Sequence, residues 1–328
     1  MNTRRTTVEI AFNDVDATAH MIPNKTDFSY TDPASGEADS IDISLHDRGR
    51  LWTETWLPAA GDKISAAIRI QNRGAGNKSL PCGLFILDNF DFSGWPITGT
   101  ISGVSVPADS CFREPARTKN WENATIQEIG KEIASRAGIS LVWDVEGEPF
   151  KIINLEQSEQ TDCEFYMSLC GTYGLAMKVY ANKIVVYDRE AYKRKDSAAA
   201  LGPDDLLSWS WSTTMAKTYT GGEFTYTDPT TEEEIKVTVG GGSRILKRSG
   251  KADSRGDAER QIRAAVDQSN HGATKLSATI MGNAALVASQ CVSVEGLGRL
   301  SGKYYIDSIT HRVGNSGYTM DLEMSLVQ

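Results

Sequence analysis

Between Phe28 and Leu45 apolar and polar side chains alternate along the chain. Phe28 and Tyr30 share one face, "DPASGEAD" interrupts with turn residues, and Ile41, Ile43 and Leu45 resume the alternation. A period of two marks half-buried strands. Asp32 precedes a proline, which keeps it extended and ends the first strand rather than opening a helix. "KISAAIRIQNRG", "GLFILDNFDFSG" and "ITGTISGVSV" continue as short strands punctuated by Gly, Asn and Pro, the spacing of an antiparallel barrel or sandwich. Trp52 and Trp56, in the connection "LWTETWLPAAGDK", carry enough apolar area to seal a barrel end.

Near Pro107 the period changes. "WENATIQEIGKEIASRAG" reads as helix: Thr125 and Glu128 make a capping box, Ile126, Ile129, Ile133 and Ala137 form one stripe, and Gly138 ends it. "TDCEFYMSLCGTYG" repeats the device with Thr161 and Glu164, placing Phe165, Leu169 and Tyr173 on the buried side. "LAMKVYANKIVVYD" is a hairpin turning near Ala181-Asn182. After the polar stretch "REAYKRKDSAAALGPDD" strands return in "LLSWSWSTT", "GGEFTYTDP" and "EEIKVTVGGG". A helix over 253–268 carries Ala258, Ile262, Ala265 and Val266, and four further strand-like runs follow. The pattern predicts a mainly β protein with an α/β insert: a first β-barrel over 1–107, an α/β domain over 108–199, and a second β-barrel over 200–328 that includes the helix.

One phrase occurs twice. "FSYTDP", Phe28 to Pro33, returns as "FTYTDP", Phe224 to Pro229. In both places an alternating apolar strand follows, Ile41 and Ile43 in the first and Ile235 and Val237 in the second. Internal repetition of this kind points to two domains of one architecture. The expectation is that Phe28 and Tyr30 coincide with Phe224 and Tyr226 when one barrel is laid on the other.

Composition narrows the function. The chain has 328 residues, 40% hydrophobic and 23% charged, with a net charge of −9. That balance weighs against nucleic-acid binding, which needs a basic footprint, while permitting a surface past which nucleic acid slides. The stretch from Arg244 to Arg263 is locally basic and reads as a solvated loop and helix face. No apolar run reaches the length of a membrane-spanning helix, and no secretory leader is expected at the N-terminus. Cys82, Cys111, Cys163, Cys170 and Cys291 are scattered and form no C-x-x-C, so free thiols are expected.

Catalytic, metal and cofactor signals are absent from the pattern, and no site residue of any of those kinds is assigned. His20, His46, His271 and His311 have no metal-ligand spacing. No nucleophile elbow or phosphate loop occurs; "VGGGSRILKRSGK" lacks the G-K-[ST] ending. Glu122, Glu128 and Asp144 are the carboxylates to weigh for a peptidoglycan hydrolase working with two acids in a cleft. Each also has an ordinary reading as cap, surface or turn. Trp52, Trp56, Trp209 and Trp211 are the aromatic candidates for a carbohydrate- or receptor-binding platform, with burial the favoured expectation.

Three stretches carry a resemblance. They are "TDPASGEADSIDISLHDRGRLWTETWLPAAGDKISAAI", then "RTKNWENATIQEIGKEIASRAGI" with the later "TYGLAMKVYANKIVVYD", and "LSGKYYIDSITHRVGNSGYTMDLEMSL" with His311 in a Gly-x-Tyr-x-Ile strand. In order and spacing they resemble the phage late control D protein family, the baseplate hub of contractile tails, and they are similar to the hub half of type VI secretion spike proteins. The resemblance implies a homotrimer whose two barrels per chain form a pseudo-six-fold ring joining the tail tube to the central spike. Tape-measure and other baseplate proteins are further partners, and DNA passes through the lumen without specific binding. The expected place is the virion tail baseplate, assembled in the host cytoplasm. The resemblance brings no catalytic residue, metal or cofactor. Because the text ends just after the last hub strand, spike and lytic functions are expected on other proteins.

Overall fold

The computed structural model describes residues 5–21, 25–59, 61–71, 76–105, 115–228, 231–315 and 317–327. Strand β1 (Arg5–Phe12) turns into β2 (Val15–Asp16), and the short α1 (Thr18–Met21) follows. β3 (Lys25–Pro33) and β4 (Ser40–His46) form the expected hairpin, with Phe28 opposite Ile43 and Tyr30 opposite Ile41. A π-helical turn, Leu51–Thr55, then leads to β5 (Lys63–Gln71), β6 (Lys78–Ser93) and β7 (Thr98–Val104). Asp47 holds that turn by accepting from the Trp52 and Thr53 amides at 3.2 and 2.9 Å. Trp52 is thereby pressed into the core at 1% exposure, with Phe12 and Trp56 rings 5.5 and 5.6 Å away. The tryptophans cover the core as their apolar area suggests.

The next segment differs from expectation at its start. Trp121–Ala124, read with the helix, belong instead to strand β8 (Arg117–Thr125), and α2 (Ile126–Arg136) begins at the expected Thr125–Glu128 capping box. β9 (Ser140–Asp144) and β10 (Lys151–Gln160) follow, and β10 pairs with β8, Leu155 opposite Trp121. That partner, thirty residues on, takes up the β8 backbone groups. Helix α3 (Asp162–Thr172) has the Thr161–Glu164 box. β11 (Leu175–Tyr180) and β12 (Lys183–Asp188) turn at Ala181-Asn182, both with positive φ, the type I′ geometry that matches strand twist. β9 joins β12 in parallel. These elements share a separate core around Ile129, Ile133, Tyr166, Leu169 and Ile184.

After α4 (Arg189–Arg194), β13 (Ala199–Leu201) and β14 (Leu206–Thr213) enter the large sheet. The chain then leaves it. β15 (Gly221–Thr227), β16 (Glu234–Gly240) and β17 (Ile245–Ser249) form their own three-stranded sheet. Helix α5 (Arg255–Asn270) packs Ala258, Ile262 and Ala265 onto Phe224, Tyr226 and Val237. β18 (Thr274–Met281), β19 (Cys291–Val294), β20 (Gly302–Gly314) and β21 (Gly317–Leu326) complete the 13-stranded sheet. The fold is mainly β, built on antiparallel ladders with an α/β insert.

The duplication exists, but not where the repeated phrase places it. In the sheet the first strand set runs β3-β4-β7-β6-β5-β1 and the second runs β14-β18-β21-β20-β19-β13. Ranked by chain position the two orders are the same. Their registers agree as well: Trp209 lies opposite Ala278 and Trp211 opposite Leu276, as Phe28 and Tyr30 lie opposite Ile43 and Ile41. Two β-bulges recur at equivalent points. One separates Lys25 from Asp27 and Leu206 from Ser208; the other separates Leu87 from Asn89 and Ile306 from Ser308. Leu87-Asp88-Asn89 thus matches Ile306-Asp307-Ser308. The sixth strand breaks the likeness, since β1 is antiparallel to β5 whereas β13 is parallel to β19.

The counterpart of Phe28 and Tyr30 is therefore Trp209 and Trp211. Phe224 and Tyr226 sit on β15, in another sheet. They do share the local hairpin register, Phe224 opposite Val237 and Tyr226 opposite Ile235. The phrase encodes a strand with a turn behind it, and that device was used twice for different purposes. Pro229 lies outside the described residues.

Candidate assembly interface

Alternation along the large sheet gives it one apolar and one polar face. Phe28, Tyr30, Ile41, Ile43, Ile101, Leu276, Ile309, His311, Met320 and Leu322 are buried together. The opposite positions carry Ser29, Asp42, Ser102, Asp91, Thr310, Arg312, Asp321, Glu323, Ser277, Thr279 and Ser210. Hydroxyl–carboxylate bonds lace this face: Ser102 donates to Asp42 at 2.6 Å, and Ser277 donates to Glu323 at 2.7 Å. Those two pairs are equivalent with the roles exchanged, because Asp42 corresponds to Ser277 and Ser102 to Glu323. Arg312 is held to Asp321 at 2.7 Å. On the central strands of this face Asp27, Asp42, Asp91, Asp321 and Glu323 stand against Arg312 and Lys275, whereas the outer strands β1 and β5 add Arg5, Lys63 and Arg69 against Glu9.

The two sets are joined inside the chain. β3 runs antiparallel to the second half of β20, with Tyr30 opposite His311, Ser29 opposite Arg312 and Phe28 opposite Val313. Tyr30 and His311 rings stack at 5.5 Å. Burial holds the His311 imidazole down at about 4, so it is neutral, and its Nδ1 lies 2.8 Å from the Tyr318 hydroxyl.

The insert docks on this junction through a buried ion cluster. Lys178 of β11 reaches Asp32 and, at 3.1 Å, Asp39. The Asp32 carboxylate also accepts from the Ala288 amide at 3.0 Å, and Asp39 accepts from the Tyr30 hydroxyl at 2.7 Å. Burial raises Asp39 to about 6 even though Lys178 pulls the other way. For Lys178 burial lowers the pKa, but the two carboxylates outweigh it and leave it above its ordinary value. Tyr187 adds a bond to the Ala34 carbonyl at 2.7 Å and one with the Tyr305 hydroxyl at 2.9 Å.

The small β15–β17 unit leans on the insert, and at the end of α5 His271 also reaches Asp307 of β20 at 2.7 Å. Arg260 stacks over Phe150 at 3.6 Å and donates to the Tyr173 carbonyl. Asp253 accepts from the Ile153 amide at 2.7 Å. Arg244 donates to the Met215 and Thr218 carbonyls. The basic segment is thus not only a solvated face; two of its arginines tie elements together, and only the structure reveals their partners. A cavity of about 270 Å³ between the two units is lined by Asn154, Thr172, Tyr173, Lys251, Asp253 and Gln261.

Candidates for chemistry are dispersed. Glu122 is exposed on β8, Glu128 caps α2, and Asp144 accepts from Tyr192. His46, His271 and His311 lie on separate strands or turns, and the side chain of His20 is outside the described residues. Cys82, Cys163, Cys170 and Cys291 form no disulfide among the described residues, and Cys111 is outside them. Among the described residues no group of three or more His, Cys, Asp or Glu is placed to hold a metal, and no helix is long and apolar enough to cross a membrane. Trp209 departs from its expected burial at 47% exposed, while Trp211 is half-buried.

Phage tail and type VI secretion proteins share this mainly β fold. The chain superposes on the 43 kDa tail protein of prophage MuSo2 from Shewanella oneidensis with a TM-score of 0.73 at 14% identity, covering 98% of both chains. An Escherichia coli component of the type VI secretion system, described as structurally similar to T4 bacteriophage tail proteins, matches with a TM-score of 0.60 at 10% identity over 97% of this chain and 77% of that one. In sequence the chain is 22% identical over 365 aligned residues to the probable baseplate hub protein of Escherichia phage 186, spanning 97% of this chain and 92% of that protein. No family model matches the sequence. The resemblance read from the three sequence stretches thus agrees with the proteins this chain is similar to.

Proposed function

We propose that this chain is the structural hub of a contractile-tail baseplate, in a phage or phage-like particle, and that it acts as a homotrimer without catalysing a reaction. The observation that carries the reading is the pair of strand sets with one order, one register and the same two bulges. Three copies of a chain holding two equivalent units make a six-unit ring, which suits a six-fold tail tube on one side. The insert (108–199) and the β15–β17 unit with α5 have no counterpart in the first set; they mark alternate positions and reduce six-fold to three-fold symmetry for a spike. The proposed division is 1–107, 108–199 and 200–328, the last interrupted by that small unit.

On this reading the polar face of the sheet lines the passage. The excess of carboxylates on its central strands repels the phosphates of passing DNA within about 10 Å at ordinary salt. The tube and spike proteins, together with tape-measure and other baseplate proteins, are the proposed partners, in a baseplate assembled in the host cytoplasm. Native mass measurement of the hub taken from assembled particles is expected to give three copies; two copies would refute the ring. Purified protein is expected to leave peptidoglycan intact. Turnover abolished by changing one carboxylate, Glu122 or Asp144 for instance, would instead make it a hydrolase.

A further inference from the structure

Among the described residues the large sheet has open edges at β1, at β13 and at two further places: β14 pairs only with β18, and the half of β6 beyond Leu87 pairs only with β7. The latter two, β14 and the end of β6, carry exposed or half-exposed aromatics: Trp209 and Trp211 on β14, Phe90 and Phe92 on β6. Open edges with apolar side chains invite another strand, and proteins that leave them so have a partner for them.

The duplication says which strand. β14 is the counterpart of β3, and the second half of β6 is the counterpart of the second half of β20. Inside the chain those counterparts, β3 and β20, are the strands that pair to join the two sets. Each free edge is therefore one half of a junction already made once. We infer that β14 of one copy pairs antiparallel with Asn89–Ser93 of β6 in the next copy, in the register of the internal junction.

That register follows from the equivalences. Tyr30 opposite His311 becomes Trp211 opposite Phe92. Ser29 opposite Arg312 becomes Ser210 opposite Ser93, and Thr31 opposite Thr310 becomes Ser212 opposite Asp91. The aromatic stack at the internal junction is replaced by an indole against a phenyl ring on the same core-facing side. Ser210, Ser212, Asp91 and Ser93 extend the polar face without interruption. The contact is head-to-tail, using a different surface on each partner, so it closes only as a ring. That the ring closes after three copies rests on the hub reading above; the pairing and its register rest on the sheet.

The test joins Ser210→Cys to Ser93→Cys in one chain. Directly opposed residues have Cβ atoms about 4.5–5.5 Å apart, close enough for a disulfide after small adjustment. Oxidised particles carrying both changes are expected to give covalent multimers on a non-reducing gel, and each single variant is expected to give none. Ser210→Cys with Phe92→Cys is the register control, because those side chains point to opposite faces. Separately, Trp209→Glu alters a side chain already exposed in the monomer. It is expected to raise the concentration needed for assembly about tenfold or more, the scale of losing one half-buried anchor. A hub that is trimeric by mass yet shows no cross-link, or cross-links equally in the register control, overturns the pairing and leaves the hub reading standing. A chain that remains single in complete particles overturns both.

Discussion

Replacing Lys178 with methionine is expected to lower the unfolding free energy at pH 7 by about 3–5 kcal/mol, the usual cost of stranding a buried charge. Asp32 and Asp39 are both buried, and the lysine is the cation that faces them. Without it, each carboxylate must be protonated or stay unpaired in a low-dielectric site. Adding Asp39→Asn to the methionine variant should recover part of the loss, since it removes one of the stranded charges. The loss should also shrink at pH 5, where Asp39 takes up a proton more readily. Chemical denaturation of the three proteins at two pH values measures all of this. A Lys178→Met loss below about 1 kcal/mol, the range of exposed pairs, would show that the cluster does not hold insert to sheet.

Asp39 is raised to about 6 from 3.8, mainly by burial. Between those values the folded chain holds a proton that the unfolded chain releases, so this group's contribution falls as pH rises from about 4 to 6. His311 is lowered to about 4 from 6.5 by burial. Between those values the unfolded chain binds a proton that the folded chain refuses, so its contribution rises with pH across that window. Each effect is on the order of 3 kcal/mol, and the two oppose each other across the shared window. Wild-type stability should therefore depend on pH between 4 and 6.5 with a slope lying between those of the two single variants. His311→Phe, which puts at this site the residue found at the equivalent Phe92, should expose the falling slope. Asp39→Asn should expose the rising one. Unfolding curves across the window decide it: parallel profiles for all three proteins would contradict these assignments.

What the sequence made legible was local. Capping boxes at Thr125 and Thr161, the Ala181-Asn182 turn and the apolar stripe of α5 are set by residues within one or two turns of each other, and the alternation of β3 and β4 is equally local. Strand β8 was not legible, because Trp121-Glu122-Asn123-Ala124 has no strand period of its own: Asn123 is left-handed at φ 49°, and the segment is a strand only through its pairing with β10. The true repeat was hidden for a related reason. Phe28-Ser29-Tyr30 and Trp209-Ser210-Trp211 share a pattern of large aromatic, serine, large aromatic, and almost no identity. Burial on one face and hydrogen bonding on the other constrain size and polarity but not the particular ring. Conversely "FTYTDP" repeats because a strand ending in a turn tolerates few choices, whichever sheet it joins. The edges that make the candidate interface were equally silent, since a free edge is defined by the absence of a neighbour. Trp209 carried the one available signal, an aromatic whose burial requires a partner the chain itself does not supply.

A strand-resolving map of the assembled baseplate is the most direct measurement. Three copies are expected around the axis, with a 60° step carrying β3–β7 onto β14 and β18–β21 of the same chain. A further 60° step should reach the next copy, with β14 lying beside Asn89–Ser93 of its β6. Any other number of copies, or two strand sets at positions that no 60° step relates, would contradict it.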